Sequence, residues 1–138
     1  MKILVFGNPL EKKDSLALKI IPKLKKTFPK IEFKELDGTE NLEKEGRNLR
    51  IIDVAFPNFN EVRELVLKDE EDFKKLQENK GYSMHDFDLA YNLRLLKKIN
   101  LLESVIILCI PYNLSEKKAL VQSQLILRKW VAQDMQGS

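Results

Sequence analysis

The sequence contains a single cysteine and a single histidine. One cysteine cannot form an intramolecular disulfide, and it excludes the cysteine-rich zinc and iron–sulfur sites. One histidine excludes motifs that bind a metal through two histidines, such as H-E-x-x-H. Glycine and proline number five each, which is too few for a collagen-like or low-complexity chain.

Long hydrophobic runs are missing as well. The most apolar stretch, residues 105–111, is far shorter than the about 20 residues that a membrane-spanning helix needs. The apolar run near the N-terminus ends at Gly7 and is too short for the core of a signal peptide. We therefore expect a cytoplasmic protein with no membrane partner.

The residues that are present have the balance of a soluble globular protein. Apolar residues make up 43% and charged residues 33% of the 138 residues. This length predicts a single domain over residues 1–138. The net charge is only +3, and no basic stripe with interleaved aromatic residues is visible. The sequence therefore predicts no nucleic-acid partner.

Hydrophobic periodicity predicts an α/β fold. Apolar positions four residues apart predict a helix from Asp14 or Ser15 to Pro29, bent at Pro22, and a last helix that begins at Ser115. The other predicted elements are strands at 2–6, 31–36, 49–56, 62–67 and 104–110 and helices at 41–46, 70–79 and from Ser83 onward, with Leu89, Leu93, Leu96 and Ile99 on one face. Strands that alternate with helices predict a three-layer sandwich: a mainly parallel, twisted sheet of about five strands with helices on both faces.

Three polar residues stand where such a fold places ligands, beyond the carboxyl ends of the strands. Asp14 follows the first strand, Asp53 lies near the end of strand 49–56, and His85 begins a helix. Two carboxylates and an imidazole with open positions suit a divalent metal such as nickel or zinc. Two of them also have an ordinary explanation, since Asp14 can cap a helix and His85 can lie on a helix surface. Asp53 lies in an apolar strand, where a carboxylate is rarely buried without a partner, and this favours a functional role.

Other kinds of chemistry have less support. Cys109 is surrounded by apolar residues, so we expect a buried, unreactive thiol. No G-x-S-x-G elbow is present, which argues against a serine hydrolase. The turn after the first strand contains one glycine and matches neither G-x-G-x-x-G nor the P-loop pattern, which disfavours a nucleotide site.

Five segments, taken in order, resemble the hydrogenase maturation proteases. Gly7-Asn8-Pro9-Leu10 followed by Asp14 resembles their G-N-x-L-x-x-D signature, and residues 36–39 resemble their D-G-G-T turn. Residues 51–55 resemble their strand that ends in Asp-Ala, residues 83–90 resemble their H-x-x-x-L helix start, and residues 106–111 resemble their late strand that ends in Pro. The resemblance therefore spans most of the chain.

This resemblance implies an endopeptidase that removes a C-terminal extension from a hydrogenase large-subunit precursor already loaded with nickel. It assigns the nickel ligands and the catalytic role to Asp14, Asp53 and His85. It places Gly7, Asn8, Gly38 and Thr39 in loops that approach the substrate. It also implies that the nickel is supplied by the substrate and that no cofactor is permanently bound.

The sequence departs from the family pattern at the loops. Lys13 stands where the family has the first acidic residue of a pair, Ser15 replaces the following glycine, and a single Gly38 replaces Gly-Gly. Two alternatives stay open: a non-catalytic module that docks a metal-loaded partner, and a flavodoxin-like protein that binds an anionic ligand at residues 7–14.

Overall fold

The computed structural model describes residues 1–6, 15–36, 42–55, 60–78 and 84–136, without the side chains of residues 15, 55, 77 and 84–88. In chain order the elements are β1 (Lys2–Phe6), α1 (Ser15–Thr27), β2 (Glu32–Leu36), a 3-10 helix (Leu42–Glu45), β3 (Asn48–Ala55), β4 (Arg63–Leu67), α2 (Glu70–Glu78), α3 (Met84–Lys98), β5 (Ser104–Pro111) and α4 (Glu116–Gln136).

The described strands form one five-stranded sheet in the order β2-β1-β3-β5-β4. The pairs β1–β2, β1–β3 and β3–β5 are parallel, and β4 runs antiparallel to β5 at one edge of the sheet. The carboxyl ends of β1, β3 and β5 therefore lie at the same edge of the sheet, which we call the carboxyl edge.

Two apolar clusters cover the two faces of this sheet. The helices α1 and α4 pack on one face, where Ile20, Leu24, Leu127 and Trp130 join alternate residues of the strands. The helices α2 and α3 pack on the other face through Phe73, Leu76, Leu89 and Leu93. The predicted three-layer α/β fold with a mainly parallel five-stranded sheet is confirmed.

The element boundaries differ from the sequence predictions by one or two residues. The strand predicted at 49–56 runs over Asn48–Ala55, and the helix predicted to end at Pro29 ends at Thr27. The last helix begins at Glu116, after the Ser115 hydroxyl accepts a 3.2 Å hydrogen bond from the Lys118 amide as an N-cap.

One predicted core position is wrong. Ile99 is 55% exposed, because α3 ends at Lys98 and the chain reverses at Asn100, which has a positive φ of 63°. Leu102, 1% exposed, lies in the cluster on that face instead. Among the described residues, no helix is both long enough and apolar enough to span a membrane.

Candidate active site

Asp53 is a buried carboxylate near the carboxyl edge of the sheet. It is 2% exposed and lies in β3, in register with Phe6 of β1 and Cys109 of β5. Both neighbours are buried residues of the cluster beneath α2 and α3. An ionised carboxylate in apolar surroundings needs a hydrogen-bond donor or a cation to offset the free energy that it loses on leaving water. Packing alone therefore does not explain an Asp at this position.

The alternation of β3 determines which layer Asp53 faces. Ile52 and Val54 belong to the cluster beneath α1 and α4, whereas Ile51 belongs to the cluster beneath α2 and α3. Since successive side chains of a strand point to opposite faces, Asp53 shares the face of Ile51. The carboxylate therefore lies on the side of the sheet that α3 covers.

Helix α3 begins near the same edge of the sheet. Its last turn lies at the opposite, amino edge, where Arg47 donates a 2.8 Å hydrogen bond to the carbonyl oxygen of Asn100 just before β3 begins. With 15 residues, α3 extends about 22 Å from there toward the carboxyl edge. His85 is in its first turn, on the face of the sheet that Asp53 shares, and its side chain is among those left undescribed.

The other predicted site residues lie outside the described residues. Asp14 directly precedes α1, which leads from the carboxyl edge of β1 back to the start of the parallel strand β2. Gly7, Asn8, Gly38 and Thr39 follow the carboxyl ends of β1 and β2. The topology thus brings the start of α1, the start of α3 and Asp53 to one edge, and the convergence of the three side chains stays a prediction.

A metal cluster cannot be assembled from the described side chains. No group of three histidine, cysteine or acidic side chains with metal-binding geometry occurs among them, and the side chains of Asp14 and His85 are not in that set. Cys109 is 0% exposed, so the prediction of a core cysteine is confirmed. In the described part of the chain, Asp53 is the charged residue buried in the core.

A second concave feature lies at the opposite end of the sheet. A groove of about 350 Å³ is bordered by the first residues of β3 and β5, by β4 and by the end of α4. Two of its charged side chains form ion pairs: Arg50 with Asp134 at 2.9 Å, and Glu64 with Lys129 at 2.7 Å. Glu64 also accepts a 2.9 Å hydrogen bond from the Trp130 indole.

These contacts around Glu64 were not predicted from the sequence. Glu64 and Trp130 are 66 positions apart, and no local pattern links them. The contacts hold α4 against the edge strand β4, so we assign them a structural role. The groove is separated from Asp53, because it borders the amino ends of the parallel strands.

Comparisons with known proteins identify similar structures but no similar sequence. Neither the protein-family models nor the curated protein sequences match this chain. The hydrogenase maturating endopeptidase HybD from E. coli has a similar structure, with a TM-score of 0.55 and 25% identity over 94% of this chain and 93% of that one. The [NiFe] hydrogenase maturation protease HybD from Thermococcus kodakarensis has a TM-score of 0.59 and 22% identity over 94% and 99%.

A third solved structure, an endopeptidase from Escherichia coli, has a TM-score of 0.56 and 19% identity over 94% of this chain and 93% of that one. All three neighbours carry the name of an endopeptidase or a maturation protease, and each aligns over nearly the whole chain. The chain therefore has the fold of the hydrogenase maturation proteases, the family that its sequence motifs resemble.

Proposed function

We propose that this chain is an endopeptidase that removes a C-terminal extension from a nickel-loaded hydrogenase large-subunit precursor. The observation that carries the proposal is the match of nearly the whole chain to endopeptidases of hydrogenase maturation, at 25% identity for the E. coli protein. The names of all three neighbours support a peptidase. The proposed compartment is the cytoplasm.

The proposed site consists of Asp14, Asp53 and His85. Its support is the buried position of Asp53 near the carboxyl edge, the placement of His85 in the first turn of α3 on the same face, and the position of Asp14 just before α1. Carboxylate oxygens and a neutral imidazole are suitable donors for a divalent nickel ion. The substrate loops of the proposal are those with Gly7, Asn8, Gly38 and Thr39.

The described residues indicate how Asp53 would act at this site. Its backbone is part of the central strand β3, which pairs with β1 on one side and β5 on the other, so its position is rigid. A carboxylate held in this way binds a cation without the entropic cost of ordering a loop. The nickel that the substrate carries is a Lewis acid, and next to a scissile bond such an ion polarises the carbonyl group or activates a water molecule.

A substitution at Asp53 tests this assignment. Asp53→Asn keeps the shape of the side chain and removes its charge, so we expect the rate of precursor cleavage to fall at least about 100-fold, as for the loss of a group that acts on the reacting bond. The measurement is the intact mass of the nickel-loaded precursor, in which cleavage is seen as loss of a short C-terminal peptide.

Asp72→Asn is the matched control, because Asp72 lies in the first turn of α2, which follows β4 at the amino ends of the parallel strands, whereas Asp53 lies near their carboxyl ends. We expect this variant to cleave at the wild-type rate. Wild-type cleavage by a folded Asp53→Asn variant would contradict the proposed site. Binding of the precursor without any cleavage by the unmodified chain would instead identify a docking module.

A further inference from the structure

The two helical layers of the molecule differ strongly in charge. Helices α1 and α4 together carry eight basic and two acidic residues, a net charge of +6. Helices α2 and α3 together carry five basic and six acidic residues, a net charge of −1 with histidine neutral. The net charge of the whole chain is only +3, so its positive charge is concentrated on one side.

All eight basic residues of α1 and α4 are exposed, and we call this exposed side the basic face. Both acidic residues of these helices are already engaged with basic ones. Glu116 accepts a 2.5 Å hydrogen bond from Lys23, which lowers the pKa of Glu116, and Asp134 is paired with Arg50 of β3 at 2.9 Å. Lys129 is paired with Glu64 of β4 at 2.7 Å, so the positive charge of the basic face is carried mainly by its other basic residues: Lys19, Lys25, Lys26, Lys117, Lys118 and Arg128.

Exposed apolar side chains lie among these charges. Val121 and Leu125 are 48% and 60% exposed and lie one turn apart on α4, and Leu18 of α1 is 56% exposed. Large apolar residues surrounded by a charged rim are typical of a surface that contacts another protein. The basic face thus combines exposed apolar side chains with charges that are mostly of one sign.

The basic face begins at the carboxyl edge of the sheet, on the opposite side of the sheet from the one that the Asp53 side chain faces. Helix α1 begins after β1 and α4 begins after β5, so both start at the carboxyl edge near Asp53. The 21 residues of α4 extend about 30 Å from that edge. The 13 residues of α1 extend about 20 Å, so two helices each about 10 Å wide give an area of about 500 Å², or somewhat over half of the about 800 Å² that each partner buries in a standard protein interface.

We infer that the basic face is the docking surface for an acidic surface on the protein substrate, which approaches the carboxyl edge to be cleaved. This inference rests on the proposed function, since it takes the large-subunit precursor as the partner. Among the described helices, α1 and α4 begin at this edge on one side of the sheet and α3 begins there on the other. Helices α1 and α4 carry the net charge of +6 that complements an acidic partner, whereas α2 and α3 carry −1.

Other occupants fit this surface less well. A two-fold dimer through the basic face would bring like charges together. Nucleic-acid grooves commonly use exposed aromatic residues, whereas Trp130, the one aromatic residue of α1 and α4, is 2% exposed. Insertion into a membrane needs a free apolar helix face, but Ala119, Leu127 and Trp130 of α4 pack against the sheet.

Charge reversal on the basic face tests the inference. The variant Lys19→Glu/Lys26→Glu/Lys118→Glu changes three exposed lysines, none of which lies in the proposed catalytic site. With nickel-loaded precursor that carries its C-terminal extension, we expect kcat/KM at low ionic strength to fall at least about tenfold and its salt dependence to weaken, with kcat within about twofold of wild type. Calorimetric titration of the same precursor gives the binding affinity independently of cleavage.

A matched control reverses three exposed lysines on the other side of the molecule. Lys44→Glu/Lys75→Glu/Lys98→Glu makes the same change in net charge, and we expect kcat/KM within about twofold of wild type. For the exposed apolar side chains, Leu125→Ser is compared with Leu95→Ser, which changes an exposed leucine on α3. Only the change at Leu125 is expected to weaken binding.

The outcomes separate the docking surface from the proposed activity. The precursor could bind, with its affinity reduced in the basic-face variants and not in the controls, and yet never be cleaved. That result would support the docking surface and overturn the proposed activity. Equal losses in the two triple variants, or none, would overturn the docking surface while leaving cleavage intact. Displacement of bound precursor by duplex DNA or by anionic phosphatidylserine vesicles, or a salt-sensitive dimer abolished by the Lys19/Lys26/Lys118 reversal, would also overturn it.

Discussion

Cys109 illustrates how burial decides the chemistry of a single residue. Its side chain is 0% exposed in β5, within the apolar cluster beneath α2 and α3. A thiol buried in this way is out of reach of a substrate. The fold therefore leaves this residue a packing role.

We predict that Cys109→Ala cleaves precursor at close to the wild-type rate. The substitution removes one small buried group, so the free energy of unfolding should fall by about 1 kcal/mol. Urea denaturation and the precursor mass assay measure the two effects separately. Loss of cleavage in a variant that remains folded would require a mechanism in which the thiol reacts.

Asp53 shows how far a single residue could be interpreted from the sequence. Its position in an apolar strand, at the end where α/β folds bind ligands, predicted a functional carboxylate near the edge of the sheet. The structure confirms that it is buried and near that edge. Its neighbours Phe6 and Cys109 depend on strand register, which the local sequence does not encode.

At the scale of the elements, Glu45 attaches the 3-10 helix to the sheet. Its side chain is 4% exposed and accepts hydrogen bonds from Lys2 of β1 at 3.0 Å and from Lys34 of β2 at 2.8 Å. Three elements therefore depend on one carboxylate. Hydrogen bonds from ammonium groups, chiefly from Lys34 and then from Lys2, hold the pKa of Glu45 below its ordinary value of 4.5.

We predict that Glu45→Gln lowers the free energy of unfolding at pH 7 by roughly 1–3 kcal/mol, the cost expected for losing charge-assisted hydrogen bonds. Because the pKa of Glu45 is lowered in the folded state, the stabilisation is complete above the unfolded-chain value of 4.5 and is lost as the pH falls through the folded-state value. Denaturation of the wild type and of Glu45→Gln at pH values between 7 and 3 measures this loss of stabilisation.

Glu43→Gln is a suitable control, since Glu43 is an exposed residue of the same 3-10 helix. Its stability should match that of the wild type at every pH. The difference in the free energy of unfolding between Glu45→Gln and wild type could instead stay constant down to pH 3. That result would show that the carboxylate charge is not what holds these elements together.

The order and type of the elements could be predicted because each has its own periodicity. Leu16, Ile20 and Leu24 recur at helical spacing, and all three are buried in α1. The edge position of β4 and its antiparallel direction were not predicted, because they depend on partners far along the chain. The same holds for Lys2–Glu45, which joins residues 43 positions apart.

At the scale of the whole molecule, the fold places the candidate chemistry and the charge on adjacent surfaces. The parallel strands bring Asp53 and the starts of α1, α3 and α4 to one edge. The basic residues of α1 and α4 extend from that edge over one face. The sequence alone did not predict this face, because its basic residues are about 90 positions apart and the net charge is small.

We propose that the site recognises the nickel ion that the substrate carries. Two carboxylates and one imidazole, without a thiolate, are expected to hold a divalent metal only weakly. The free protein should therefore purify largely without metal, and a precursor that lacks nickel should lack the ion that Asp14, Asp53 and His85 are proposed to bind. Correct metal insertion would then be a condition for cleavage.

The most direct test is to offer nickel-loaded and nickel-free precursor to the purified protein in parallel and to follow the intact mass of each. We predict that only the nickel-loaded precursor loses its C-terminal peptide. Equal cleavage of both precursors, or activity that requires a stoichiometric zinc ion bound to the purified protein, would contradict it.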